Sequence, residues 1–374
     1  MDFSLSEEQK LIKQQVEKFV QNDYSFDRRN KILKMSDGFD RAIWKQFAEL
    51  GWLGIPFAEA DGGFGGGPVE TSLLMEAFGT AMVLEPYLST VVLAGNAVAF
   101  AGSAEQKAEL LGGIIGGDLL MSLAYAEAQS GYNLAYVTST AKKSGDAYSV
   151  SGEKVVVLGG QSADKFIVSA RTSNGIADEA GISLFVVDAK ATGVTVKAYQ
   201  TMDGGRGANV SLVNAPATLL GQEGQGFAVL ERAVDYATVA ACAQALGEMD
   251  SSFKKTLAYV KTREQFGKPI GSFQVIQHRL VDMFTHTETS RSMLFMAGMR
   301  VSSNNVKERK KAVSAAKVYI GQKARLLAQD AVQLHGGIGM TEELDIGHYF
   351  RRLTLFCSIF GSTNHHLKRF AQQG

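Results

Sequence analysis

The sequence predicts a multidomain protein of α and β parts, ordered helical, then β, then helical. Three observations carry this. Apolar residues recur at helical spacing through the first third, short β-rich runs punctuated by Gly, Asn and Asp follow from near Leu119, and helical spacing returns from about Gly226. At 374 residues the chain exceeds one small domain and suits two or three packed units with a large buried core. We expect a helical N-terminal domain over 1–118, a middle antiparallel β domain over 119–222 and a C-terminal four-helix bundle over 223–374.

Each element has a local reason. Ser6 followed by Gln9 is a capping-box signature, and Leu11, Ile12, Val16, Phe19 and Val20 then recur at helical spacing. A second helix runs through AIWKQFAELG and stops at Gly51. DGGFGGG breaks the chain before another apolar helix from about Val69. The most apolar stretch, Pro86 to Gly102, contains Ser89, Thr90 and Asn96 and falls short of the roughly 20 residues that span a bilayer, so it reads as a buried core helix. The β runs are VTSTAKK, YSVSGEKVVV, FIVSAR, ISLFVVD, VTVKAYQ and NVSLVNAP. In the last third Val313, Ala316, Ile320, Ala324, Leu327, Ala331 and Leu334 keep one buried face until GGIG ends the helix. Long helices of this kind imply a bundle.

Composition excludes several classes. Lys+Arg and Asp+Glu balance at 38 each, so no net field favours nucleic acid or an anionic membrane. The one dense basic run, Lys307 to Lys311, reads as a solvated turn between helices. Cys242 and Cys357 cannot make a disulfide framework, which fits a reducing compartment. The stretch MDFSLSEEQK is acidic and has no apolar core, so it does not read as a secretory signal. A cytoplasmic protein without membrane insertion is expected. GxxxxGK[ST] is absent, and GQEGQG at 221–226 reads as lacking the strand–turn–helix context of a dinucleotide fingerprint. His365 and His366 have no carboxylate or cysteine at ligand spacing, so no metal is expected. No elbow motif supports a serine nucleophile.

Two local patterns are unusual. In TREQFGKPIGSFQVIQH, Thr262 to His278, an Arg and an amide bracket a helix break, a good arrangement for a pyrophosphate and an adenine edge. In DAVQLHGGIGMTEE, Asp330 to Glu343, a Gln precedes paired glycines that allow close approach of a backbone or ligand. Either alone is ordinary helix-hairpin chemistry. Together, on successive helices of one bundle, they point to a ligand.

With FSLSEEQ, WKQFAELGWLGIP followed by GGFGG, SVSGEKVVV, RxxFGKPIGxFQ and QLHGGIG in order, the chain resembles the acyl-CoA dehydrogenase family over nearly its whole length. The last two motifs are the specific ones. The resemblance implies that family's three-domain fold, an FAD cofactor, a dimer-of-dimers tetramer, an acyl-CoA substrate and an electron-transfer flavoprotein-like acceptor. In such enzymes a carboxylate removes the α-proton of the thioester while hydride passes from the β-carbon to the flavin, and the protein orients and polarises. By similarity Arg263, Phe266 and Gln274 would contact the FAD pyrophosphate and adenosine, and Gln333 with Gly336 and Gly337 the ribose and phosphates, of a neighbouring subunit's flavin. Thr363 matches the segment that meets the adenosine phosphate end.

The chain also departs from the family. The catalytic Glu would align with Gly361 or, in members that carry it on the preceding long helix, with Ala237, and the Arg that usually follows aligns with Thr238. The flavin-facing turn reads AEAQSGYN, Ala126 to Asn133, and keeps only Glu127 and Gly131. The Trp and Thr that usually meet the isoalloxazine align with Val156 and Leu158, and a Leu has no hydrogen to donate. The pattern resembles subunits of heteromeric acyl-CoA dehydrogenases, in which a paralogous partner brings the base. Two other readings stay open. One is a self-sufficient homotetramer using Asp235 or Glu231, which read as surface charges poorly spaced from position 237; the other is a flavin-free scaffold. On this reading Gly361→Ala and Ala237→Ser should matter little.

Overall fold

The computed structural model describes residues 5–145 and 147–374; Phe3 and Ser4 of the N-terminal motif lie outside them. The chain forms two compact units that interleave along the sequence. One takes residues up to Lys31, Pro68–Val83 and Thr238–Gly374; the other takes Ile32–Gly67 and Leu84–Ala237.

The first unit is helical. Its α1 (Glu7–Asp23) has the expected capping box, with Ser6 Oγ accepting from the Gln9 N–H and the Gln9 side chain accepting from the Ser6 N–H. Val16, Phe19 and Val20 are buried, whereas Leu11 is 64% exposed and drops out of the apolar face. Three long helices follow α4 (Pro68–Thr80): α7 (Gly226–Thr262), whose first turns belong to the other unit, α8 (Gln274–Arg300) and α9 (Val306–His335). The shorter α10 (Asp345–Phe356) and α11 (Thr363–Ala371) pack on α9. α4 and α7 touch backbone to backbone. A Cβ on Gly79 would stand 2.0 Å from the Gln244 carbonyl, and one on Gly247 would stand 1.9 Å from that of Glu76, so neither position accepts another residue. The buried Glu248 pairs with Arg352 of α10 at 2.8 Å.

α9 buries Val313, Ala316, Ile320, Ala324, Leu327 and Ala331, as its spacing predicts, but Leu334, expected on the same face, is only half-buried near the helix end. Lys307–Lys311 is not a turn. It forms the first turns of α9, which Asn305 caps by accepting from the Glu308 N–H, and Arg309 is buried.

The second unit holds the sheet and the remaining N-terminal helices. α3 (Arg41–Glu49) is capped by Asp40 and followed by Gly51 at φ 78°. The apolar stretch after Pro86 is buried, but as a π-helix over Tyr87–Gly95 that runs into α5 (Asn96–Ala101). Its polar groups are satisfied internally: Tyr87 donates to the Trp52 carbonyl, Thr90 to that of Met121 and Asn96 to that of Val92. α6 (Ala104–Ile115) precedes the sheet.

The strands are β1 (Met121–Ala124), β2 (Thr140–Ser144), β3 (Ala147–Leu158), β4 (Lys165–Arg171), β5 (Ile182–Asp188), β6 (Val194–Gln200) and β7 (Arg206–Leu220). The path β4-β2-β3-β7-β5 returns to β4, so the sheet closes on itself; β1 adds to β4 and β6 to β7. Pairing is antiparallel except where β4 meets β1 and β2. The four-residue β1 is too short to announce itself in sequence. Tyr148, Val150, Val157, Phe166, Val168, Phe185, Val187, Val210 and Leu212 fill the interior.

GQEGQG does lie between a strand and a helix, β7 and α7, contrary to expectation. The strand belongs to an antiparallel pair, however, and the loop serves packing: the Gly224 N–H donates to Ser183 Oγ, and a Cβ on Gly226 would press on the Ile182 carbonyl. Among the described residues no helix is long and apolar enough to cross a membrane.

Candidate functional site

The two unusual motifs meet in the helical unit. α7 ends at Thr262, and a two-residue hairpin, β8 (Glu264–Gln265) and β9 (Lys268–Pro269), leads through a 3₁₀ turn into α8. Phe266 and Gly267 at its tip have φ 56° and 76°, the positive values such a loop requires. Phe266 is 90% exposed in a conformation that aromatic residues rarely adopt, a marker of function rather than packing. At the end of α9 the chain turns through Gly336–Met340. Tyr259, one turn before Arg263, stacks on His335 with ring centroids 4.3 Å apart, and its hydroxyl lies 3.4 Å from the His335 carbonyl. Arg279 of α8 pairs with Asp330 of α9 at 3.1 Å. These contacts hold the helices that flank the hairpin, the end of α7 and the start of α8, against the end of α9. His335 stands inside QLHGGIG, but nothing local in the sequence marks Tyr259.

The side chains this arrangement presents are open. Arg263, Gln274 and Gln333 are exposed, and none makes a side-chain hydrogen bond or ion pair among the described residues. Gly336 has φ 65°, which calls for glycine, but Gly337 has neither a positive φ nor any atom within 4 Å of a Cβ placed there. Packing within the chain therefore gives no reason for glycine at 337; approach by an outside group does. A guanidinium, two amides and an uncluttered backbone turn form a donor set suited to phosphate oxygens and a nucleoside edge. Thr363, half-buried, is the first residue of α11, whose cap is Ser362.

The β unit differs at each aligned position. Glu127 is buried, its Oε1 2.7 Å from Lys154 Nζ and accepting from the Ser139 N–H and hydroxyl, its Oε2 accepting from those of Thr138. Lys154 is also buried and donates to Ser169. Burial alone would raise the Glu127 carboxyl; the Lys154 ammonium and the hydrogen bonds outweigh it and hold the group down at about 2. Burial lowers Lys154 to about 8, which leaves the pair ionic at neutral pH. Glu127 is thus committed to the barrel and has no spare acceptor. Val156 stands at a bulge between β3 and β7, 59% exposed with φ 53°, an outlier for a β-branched residue. Neither Val156 nor Leu158 offers a side-chain donor.

Position 361 is buried glycine and position 237 buried alanine, so neither has an acid–base group. Asp235 and Glu231, expected as surface charges, are buried instead at 1% and 8% exposure and are engaged in interactions within the protein.

Family models describe the chain almost end to end: the acyl-CoA dehydrogenase N-terminal domain matches residues 6–118, the middle domain 122–214 and the C-terminal domain 224–374. The probable acyl-CoA dehydrogenase YngJ of Bacillus subtilis is 29% identical over 94% of this chain and 93% of its own length. Among solved structures, the ChsE4–ChsE5 complex from Mycobacterium tuberculosis matches with a TM-score of 0.90 at 27% identity, covering 100% of this chain and 98% of its own. A variant of the steroid ACAD Tcur3481–Tcur3483 matches with a TM-score of 0.90 at 29% identity, covering 99% and 98%.

Proposed function

The chain belongs to the acyl-CoA dehydrogenase family, and on that premise we propose that it serves as one subunit of a heteromeric acyl-CoA dehydrogenase, completing a flavin site beside a paralogous partner that brings the base. The fold is that family's three-domain architecture, and we divide it at 1–118, 119–222 and 223–374. The cofactor is FAD, which when bound accepts hydride from the β-carbon of an acyl-CoA thioester. Arg263 and Gln274 hold its pyrophosphate and adenosine, Phe266 lies against them, and Gln333 with the Gly336–Gly337 backbone and Thr363 takes the ribose and phosphate end. These groups face outward, toward a neighbouring subunit's cofactor. The electron acceptor is an electron-transfer flavoprotein-like protein, and the assembly is cytoplasmic.

One observation carries the reading: neither position where the family places its glutamate holds a proton acceptor here, because Gly361 and Ala237 have none. The α-proton is weakly acidic and has to leave as hydride departs, so a base within hydrogen-bond reach is needed. The matches to ChsE4–ChsE5 and Tcur3481–Tcur3483, each named for two components, support a paired assembly. A self-sufficient enzyme would have to draw on Asp235 or Glu231, which are already engaged within the fold.

Purification of the native assembly tests this. The expected result is a second acyl-CoA dehydrogenase in equal amount, with the isolated chain holding FAD weakly or not at all. A homotetramer carrying stoichiometric flavin through gel filtration would overturn it.

A further inference from the structure

The segment that carries Gly361 is held on α9 by an unusual set of contacts. Lys317 is buried without a carboxylate partner among the described residues; its ammonium donates to the Phe356 carbonyl and lies 3.8 Å from the centre of the Phe356 ring. Cys357 donates to the Gly321 carbonyl at 3.3 Å. One turn into α11, His366 is buried with both ring nitrogens engaged: Nδ1 is 3.2 Å from Ser314 Oγ and Nε2 is 3.1 Å from the Phe360 carbonyl. A carbonyl only accepts, so Nε2 carries the hydrogen and Nδ1 accepts from the Ser314 hydroxyl.

This imidazole fills the space a side chain at 361 would need. Phe360 and Gly361 have φ 58° and 130°. A Cβ built on Gly361 would stand 2.5 Å from His366 Nε2 and 2.8 Å from His365 Cδ2. His365 is half-buried and can turn aside; His366 is pinned at both ends and cannot. Backbone conformation and steric exclusion therefore both demand glycine.

We propose that His366 is a positioning residue that holds the Phe360–Gly361 turn closed, so that the fold itself excludes a base at position 361. The inference rests on the reading that 361 is where the family's glutamate would stand. It adds a stability cost to Gly361→Ala, a substitution expected to matter little for activity, and it means that restoring the glutamate by Gly361→Glu alone would break the turn rather than supply a base. Burial, with the charges of His365, Lys317 and Arg369, keeps His366 neutral by lowering it to about 3, so the lock persists across the working pH range.

The test is a cycle of melting temperatures in the full chain, with Gly361→Ala placed in wild-type, His366→Ala and His366→Gln backgrounds. In wild type the substitution should lower Tm by about 4 °C or more. In His366→Ala its added cost should fall by at least half, because the clash is gone while the backbone strain stays. In His366→Gln, whose amide can still donate to the Phe360 carbonyl, most of the penalty should return. Equal penalties in all three backgrounds would show that His366 only packs, and would overturn the proposal. Should these variants not fold, nitrogen NMR of the wild-type imidazoles decides. The His366 imidazole, assigned by its proximity to Ser314, should remain a neutral Nε2–H tautomer from pH 5 to 8; its titration in that range would contradict the lock. None of these readouts depends on catalysis. Turnover by the wild-type chain alone would defeat the heteromeric reading while leaving the lock standing.

Discussion

The α7–α8 hairpin with the end of α9, and the turn before β2, both keep residues that the resemblance assigns to a flavin site, and the structure treats them in opposite ways. The side chains of Arg263, Gln274 and Gln333 have no hydrogen-bond or ion-pair partner among the described residues and stand in solvent. Glu127 keeps its family identity but is taken up by Lys154, Thr138 and Ser139 inside the barrel. A matching residue is available for binding only if the fold leaves it unsatisfied. Retention of Glu127 therefore says nothing in favour of a flavin on the β side, whereas retention of Arg263 does on the helical side.

Breaking the buried pair should have the largest effect. Glu127→Ala strands the buried Lys154 amine, which has to stay unpaired or give up its proton; breaking such a pair typically costs about 3–5 kcal/mol, and chemical denaturation should show it as a lower midpoint. Replacing both partners with apolar residues should be far milder. The same pair sets an acid limit. The Glu127 carboxyl is depressed in the folded state, so its stabilisation is present above the unfolded carboxylate range and is lost as pH falls from about 4.5 toward about 2. A pH series of unfolding midpoints should show that slope, and Glu127→Gln should flatten it.

On the helical side, the proposed site predicts that Arg263→Ala removes charge-assisted hydrogen bonds to the cofactor worth about 1.5–3 kcal/mol. Flavin affinity of the assembled complex should fall roughly ten- to a hundredfold, with the fold unchanged by circular dichroism; unaltered occupancy would remove Arg263 from the site. The smallest effect is expected at the bulge. Val156→Gly relieves a β-branched residue at positive φ and gives up little burial, so stability should rise by about 0.5–1 kcal/mol. A loss would mean that Val156 makes contacts its exposure conceals.

Features carried by local pattern were legible in the sequence. The capping box at Ser6, the buried face of α9 and the strand-rich middle all follow from spacing and end signals. The hairpin and the glycine turn were legible as chain breaks because their glycines lie in short segments. What depends on long-range packing was not. Nothing near Asp235 announces that it is buried, and the basic run at 307–311 read as a turn although Asn305 and Glu308 carried a helix-start signal. The closed turn at Gly361 depends on Ser314 and His366, 52 residues apart. The two compact units also interleave, taking N-terminal segments by turns, which no composition shift along the chain reveals.

The central claim is that this chain contributes a flavin half-site and no base. The most direct measurement is dye-coupled dehydrogenation of a panel of acyl-CoA thioesters by the isolated chain in saturating FAD, beside the native assembly at equal protein. The assembly should turn over while the isolated chain gives only a small fraction of its rate. Turnover by the isolated chain at a rate matching the assembly would contradict it and place a working base within this subunit.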